Sequence, residues 1–449
     1  MTPRTRYAAR PHMRTAAAFL SFFCAATMLL AQKPAEPKAA TADAPVPLGE
    51  KGSATLANSV ATAESWSLKA MAMLSLGPDW HPVASACLLS ALTDKDVRLQ
   101  IFALEQLRRT NDRVLGAVAT KEILDEIVGR LITSKNVFVR NRAVELLERV
   151  VPGIDGSKPS TIPKWWAEQR ETYATKPWTA ADAAGKEGGT VAGSILEKAF
   201  DLRDAGLQVA FVVDSTGSMQ LAIDAVRDAI SEIAAILGGI APKLEIGLVH
   251  YKDFGDMGDP AEVLVPLTKN VKAVREKLAK LRAGGGGDEP ERVEHGIQAA
   301  LDKQMGWDKE KNRMLLVIGD APPHPDAHDA TLSLVRAAYE KPFQDSKRPT
   351  TGKQERLRPF ITSTIATSPR ANPWFEQIAE AGGGTTVLLD MGGPRPGGAP
   401  KSDVKPVSKE EAPERIAKHV LRLSFGAQFA AQIDVFVDTF FDYRRAGAF

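Results

Sequence analysis

Cysteine is almost missing from this chain, with two in 449 residues. One of them, Cys24, sits in an apolar N-terminal run, so the body of the protein holds a single thiol, Cys87, and can form no internal disulfide. Stability must come from packing. Cys87 lies in the apolar helical run VASACLLSAL and reads as a small buried residue. An excess of charge is missing too. The 57 bases and 55 acids nearly cancel, and without the four arginines of the first 31 residues 53 bases face those 55 acids. That balance argues against nucleic acid as the main partner. Several catalytic signatures are also lacking. GGGGDE has the glycines of a phosphate loop but no following Gly-Lys-Ser/Thr. HPDAH (His324, Asp326, His328) lacks the HExxH spacing of a zinc site. No serine-histidine-acid set, catalytic cysteine or two-metal ligand cluster is evident.

What is present divides the chain into parts. Residues 1–31 read as an export signal, with Arg4, Arg6, Arg10 and Arg14 ahead of the apolar run TAAAFLSFFCAATMLLA. An uncleaved membrane anchor is the alternative, since 17 apolar residues are at the lower limit for a span. Residues 32–58, rich in Pro, Ala and charge, read as a spacer. Residues 59–175 carry helical periodicity. There DVRLQIFALEQLRR (96–109) returns forty positions later as NVFVRNRAVELLER (136–149), a period that resembles HEAT-type helical repeats. Residues 176–194 form a second linker. From 195 to 391 continuous apolar strands such as LQVAFVV and MLLVIG alternate with amphipathic helices, which predicts an α/β doubly wound, mostly parallel, Rossmann-like sheet behind an all-α domain. A Pro/Gly-rich loop (392–413) and a helical extension (414–449) follow.

In such a sheet, ligands gather at the carboxyl ends of the strands near the point where strand order reverses. Asp214 ends the first strand, in FVVDSTGSMQ, and Asp320 follows MLLVIG more than a hundred residues later. Thr216 and Ser218 add hydroxyls, and the loop RAGGGGDEPERVEHG adds Asp288 and Glu289. Its glycines allow close backbone approach to another loop. Asp253, in YKDFGD, is a supporting candidate or a turn residue. Helix capping accounts for one or two of Asp214, Thr216 and Ser218 but not for an acid recurring at Asp320.

The D-x-T-x-S set of Asp214, Thr216 and Ser218, the Gly-rich second loop and the later strand-end acid resemble the metal-ion-dependent adhesion site of a von Willebrand factor type A domain. GGGDEPE and GDAPPH are closer to a bacterial subgroup that includes domains attached to alpha-kinases, although no kinase catalytic segment is recognisable. The resemblance implies a divalent cation, Mg2+ or else Mn2+ or Ca2+, held by Asp214, Thr216, Ser218, Asp288 and Asp320, with Glu289 and Asp253 in support. It also implies a protein partner whose acidic side chain fills an open coordination position. The family's second loop usually offers threonine where this chain has Asp288, which favours tighter metal binding and a less electrophilic ion.

The expectation is an exported, periplasmic or extracellular, non-enzymatic protein-binding module, with membrane association only if the N-terminal segment stays attached. A metal-dependent hydrolase or accessory subunit of an ATP-driven machine, and a structural envelope protein with a stabilising metal, are the alternatives.

Overall fold

The computed structural model describes residues 49–183, 195–253, 260–286, 290–345, 358–391 and 406–447. The expected export segment, Asp288 and Glu289 lie outside them. The chain from Val46 to Phe449 is one compact unit.

Its first part is helical: α1 (Glu50–Thr62), α2 (Trp66–Leu74), α3 (Ser85–Leu92), α4 (Val97–Arg109), α5 (Asp112–Val118), α6 (Lys121–Glu126), α7 (Val137–Val150) and α8 (Ile162–Gln169). Short polar residues start five of these helices, because a side-chain oxygen at the N-cap accepts from an otherwise unsatisfied backbone N–H. Ser65, Asp96, Asn111, Thr120 and Asn136 all do this. The two similar segments fold alike: Asp96 and Asn136 cap α4 and α7, and the pairs Leu99/Val139, Ala103/Ala143 and Leu107/Leu147 are buried in both. Helix α1 begins inside the stretch expected to be a spacer. Burial of Leu56 and Val60, and the acceptance of the His81 N–H by Ser53 Oγ at 2.9 Å, hold it against the next helices. The start of the expected second linker is also packed, with Arg113 paired to Asp182 and lying over the Trp178 ring.

After α9 (Ile195–Ala205) come β1 (Leu207–Asp214), α10 (Gln220–Ile240), β2 (Glu245–Tyr251), β3 (Ala261–Thr268), α11 (Val271–Lys280), α12 (Val293–Leu301), β4 (Asn312–Gly319), α13 (His328–Asp345), β5 (Phe360–Ala366), α14 (Asn372–Ala381) and β6 (Gly383–Leu388). Helices α15 (Ala412–Phe425) and α16 (Ala430–Arg445) close the chain. The tail expected as one helical stretch from Glu414 breaks at Gly426, whose φ of +106° suits glycine. The six strands lie in the order β3-β2-β1-β4-β5-β6, with β2 and β3 antiparallel and all other neighbours parallel.

Alternation along β1 builds two cores. Val209, Phe211 and Val213 face the side covered by α10, whereas Ala210 and Val212 join Val293 and Ile297 of α12 and Phe375 of α14. The α10 side does not stop at the sheet. Its core continues through the N-terminal helices and α16, where Trp66 stacks on Phe440 and Phe436 at centroid distances of 5.7 and 6.1 Å, and Phe436 on Phe102 at 5.0 Å. The helical region and the sheet therefore share one core on that face.

Candidate metal centre at the switch point of the sheet

Strand order reverses between β1 and β4: the chain leaves β1 toward β2 on one side and β4 toward β5 on the other. Asp214 ends β1, and Asp320 directly follows Gly319 at the end of β4. Two of the predicted site residues thus flank the crevice where such sheets bind ligands.

Asp214 is fully buried. Its Oδ1 accepts from the Thr216 backbone N–H and from Thr216 Oγ1, each at 2.8 Å. Its Oδ2, equally buried, has no hydrogen-bond partner among the described residues. Burial, with the Asp320 carboxylate beside it, pushes the Asp214 carboxyl up to about 7, against the opposing hydrogen bonds from Thr216 and the weaker pull of the Lys252 ammonium. A buried oxygen left unpaired carries a desolvation cost that something must offset.

The loop geometry holds this arrangement. Gly284 N–H donates to Ser215 O at 3.1 Å, and Gly217 N–H donates to Gly285 O at 3.0 Å, so the Gly-rich loop is laced to the DSTGS turn. A Cβ on Gly286, where φ is +72°, would lie 2.8 Å from Thr216 Cβ. The close approach expected from the run of glycines is present. Lys252 Nζ donates to Gly284 O and fastens the same loop to the end of β2.

Ser218 is exposed in the short 3-10 turn Gly217–Met219. The capping explanation of these residues fails, because neither this turn nor α10 takes a side-chain cap and Met219 N–H bonds the Thr216 carbonyl instead. Asp253 turns to other partners, with His324 Nε2 at 3.1 Å and Arg292 Nε at 3.7 Å. His328 packs edge-on against Trp374, its ring 4.5 Å away. Among the described residues no group of three or more His, Cys, Asp and Glu is placed to hold a metal ion. The expected set depends on two hydroxyls and on Asp288, which lies outside those residues.

Two features went unread in the sequence. Tyr251 is the register partner of Asp214 on β2, and its hydroxyl is buried without a hydrogen-bond partner among the described residues. Burial, followed by the charge of Asp214, raises the phenol well above its usual range, so it stays protonated. Gly319 makes room for it, since a Cβ there would lie 2.5 Å from the Tyr251 oxygen. The apolar run KLEIGLVHY pointed to a strand, and parallel pairing with β1 would have placed its last residue opposite Asp214.

The second feature is a buried serine-histidine-acid line that was not evident in the sequence. Ser215 Oγ lies 2.9 Å from His250 Nδ1, and His250 Nε2 lies 3.4 Å from Glu262 Oε2. Ser215 is fully buried and its Oγ is also 3.2 Å from the Tyr251 carbonyl. Burial lowers the His250 pKa, keeping the ring neutral. The line ties the DSTGS turn to β3.

Residues 208–390 match the von Willebrand factor A domain. The matched span opens in β1 and closes just past β6, taking in Asp214, Asp320 and the Gly-rich loop. The chain is also similar to the alpha-protein kinase vwkA of Dictyostelium discoideum, 32% identical over 123 residues. That similarity covers 26% of this chain and about a fifth (19%) of the kinase.

The donor set fits a hard divalent cation, which takes carboxylate and hydroxyl oxygens and keeps some water. Asp214 Oδ2 is a carboxyl oxygen without a partner among the described residues, and Thr216 Oγ1 spends its proton on Asp214 and keeps its lone pairs. Ser218 is reachable from solvent, and Asp320 supplies a second charge.

Proposed function

We propose that this chain is a non-enzymatic protein-binding module. Asp214, Thr216, Ser218 and Asp320, together with Asp288, hold a divalent cation, Mg2+ or else Mn2+ or Ca2+, and an acidic side chain of a protein partner completes its coordination. The carrying observation is the buried, unpartnered Asp214 Oδ2 beside a second carboxylate at the switch point of the sheet. A cation there would offset both the desolvation and the like-charge repulsion. Glu289 and Asp253 take supporting places. The helical region 59–175, read as HEAT-like, offers a second protein surface, and the N-terminal segment directs export to a periplasmic or extracellular location. Serine-based hydrolysis is disfavoured because Ser215 of the Ser215–His250–Glu262 line is fully buried. The immobilised full chain tests the proposal against a cell-envelope extract in Mg2+ and in EDTA. Proteins retained in Mg2+ should be lost in EDTA and with Asp214→Ala; identical capture in all three would contradict the reading.

A further inference from the structure

A second site of a different kind lies away from the sheet rim. Helices α4, α7 and α16 enclose an open cleft of about 560 Å3, lined by Arg108, Arg109, Phe138, Arg142, Thr439 and Tyr443 together with the acids Glu105, Asp438 and Asp442. That volume suits a small ligand or a few side chains.

The acids of the cleft are already served. Glu105 pairs with Arg108 at 2.5 Å, Asp442 with Arg445 at 2.7 Å, and Asp438 with Lys418. Arg142 bonds Glu145 at 2.5 Å and places its Nε 3.2 Å from Tyr443 Oη. Tyr443 is buried, which raises its pKa, so the phenol remains a donor. Arg109 is different. It is half-buried and makes no hydrogen bond or ion pair among the described residues. Loss of hydration lowers its pKa, the sign of a charge without adequate compensation.

The internal repeat shows what this position does elsewhere. Forty residues on, Arg149 donates to Arg108 O and Thr110 O at 2.6 Å and to Asp112 Oδ1 at 2.6 and 2.9 Å, closing the end of the preceding helix. Arg109 is its counterpart in the first copy and makes no such bonds among the described residues.

We propose that this cleft is a metal-independent binding site for a carboxylate of an acidic peptide segment, with Arg109 as the principal anchor and Arg142, Tyr443 and Thr439 as neighbouring donors. A guanidinium presents a planar pair of N–H groups that matches a carboxylate. A monoanion suits a cleft that also holds three carboxylates better than a dianion does. The site does not depend on the metal reading, since it lies on other elements.

The test is calorimetric titration of capped tetraglutamate into the full chain in EDTA. Binding should saturate, weaken with salt, and fall about tenfold in Arg109→Gln, as expected for one charge-assisted hydrogen bond. Arg275→Gln, a change at another surface arginine, should leave it intact. The melting temperature of Arg109→Gln should equal or exceed that of the wild type. Phenylglyoxal footprinting of the unaltered protein gives a reading free of any folding defect: Arg109 should be modified and protected by the peptide, whereas the exposed Arg275 should be modified with or without it. Absent binding, equal loss in both variants, no protection of Arg109, or full displacement of the peptide by inorganic phosphate at matched ionic strength would overturn the assignment.

Discussion

Asp214 and Tyr251 face each other as register partners at the carboxyl ends of neighbouring parallel strands, and each leaves a buried oxygen without a hydrogen-bond partner among the described residues. Cores rarely tolerate two such atoms together unless a ligand or water serves them. This pair is the physical core of the metal proposal, and it yields the first prediction. Asp214→Asn keeps an acceptor for the Thr216 N–H but replaces the unpaired anionic oxygen with a donor beside Asp320. In EDTA the variant should melt at or above the wild-type temperature, while Mg2+ should no longer raise its melting point. Destabilisation in EDTA would mean that the carboxylate serves the fold alone.

Much of this was legible in the sequence. FVVDSTGSMQ and MLLVIGD placed two acids at strand ends because continuous apolar strands between helices leave few alternatives to a covered parallel sheet. The run of glycines announced a close approach, and Gly286 over Thr216 is that approach. Tyr251, His250 and Glu262 were not legible as site neighbours, because their roles depend on strand register rather than on local pattern. The same holds for the shared core. Trp66 and Phe440 lie far apart in the chain, and nothing in either neighbourhood names the other as its partner.

The joint between helices and sheet gives a paired prediction. A Cβ on Gly239 of α10 would lie 2.6 Å from Ser67 Oγ and 2.9 Å from Ser65 Cβ, whereas one on Gly238 meets nothing within 4 Å. Gly239→Ala should cost about 1–3 kcal/mol through overpacking. Gly238→Ala should instead gain about 0.5–1 kcal/mol from helix propensity. Urea unfolding of both variants decides it, and equal effects would mean that α2 does not press on α10.

Asp201 of α9 accepts from Arg358 at 2.5 and 2.7 Å, a pair that joins this helix to the entry of β5. The arginine lowers the Asp201 carboxyl from 3.8 to about 2. Because the folded value lies below the unfolded one, the pair's contribution is present above pH 4 and is lost as pH falls toward 2. Asp201→Asn should lower stability at neutral pH by about 1 kcal/mol or less, since the pair is partly exposed. It should also flatten the acid limb of a stability–pH profile in that window. An unchanged limb would show that other carboxylates govern acid unfolding.

The Ser215–His250–Glu262 line resembles a catalytic set in connectivity, so its role can be separated chemically. Ser215→Ala should destabilise the chain by about 1–2 kcal/mol, the cost of unmaking a buried hydrogen bond. A fluorophosphonate probe should leave the native wild type unlabelled. Labelling that disappears in Ser215→Ala would instead identify a nucleophile.

The most direct measurement is calorimetric titration of Mg2+ and Mn2+ into the full chain, comparing wild type with the Asp214→Ala, Ser218→Ala double variant, with thermal melts alongside. The account predicts saturable one-site binding to the wild type, lost in the variant, and at a hundredfold excess over the dissociation constant a stabilisation of about 2.7 kcal/mol. A folded wild type that takes up no divalent cation, or a variant that binds it equally well, would contradict the account.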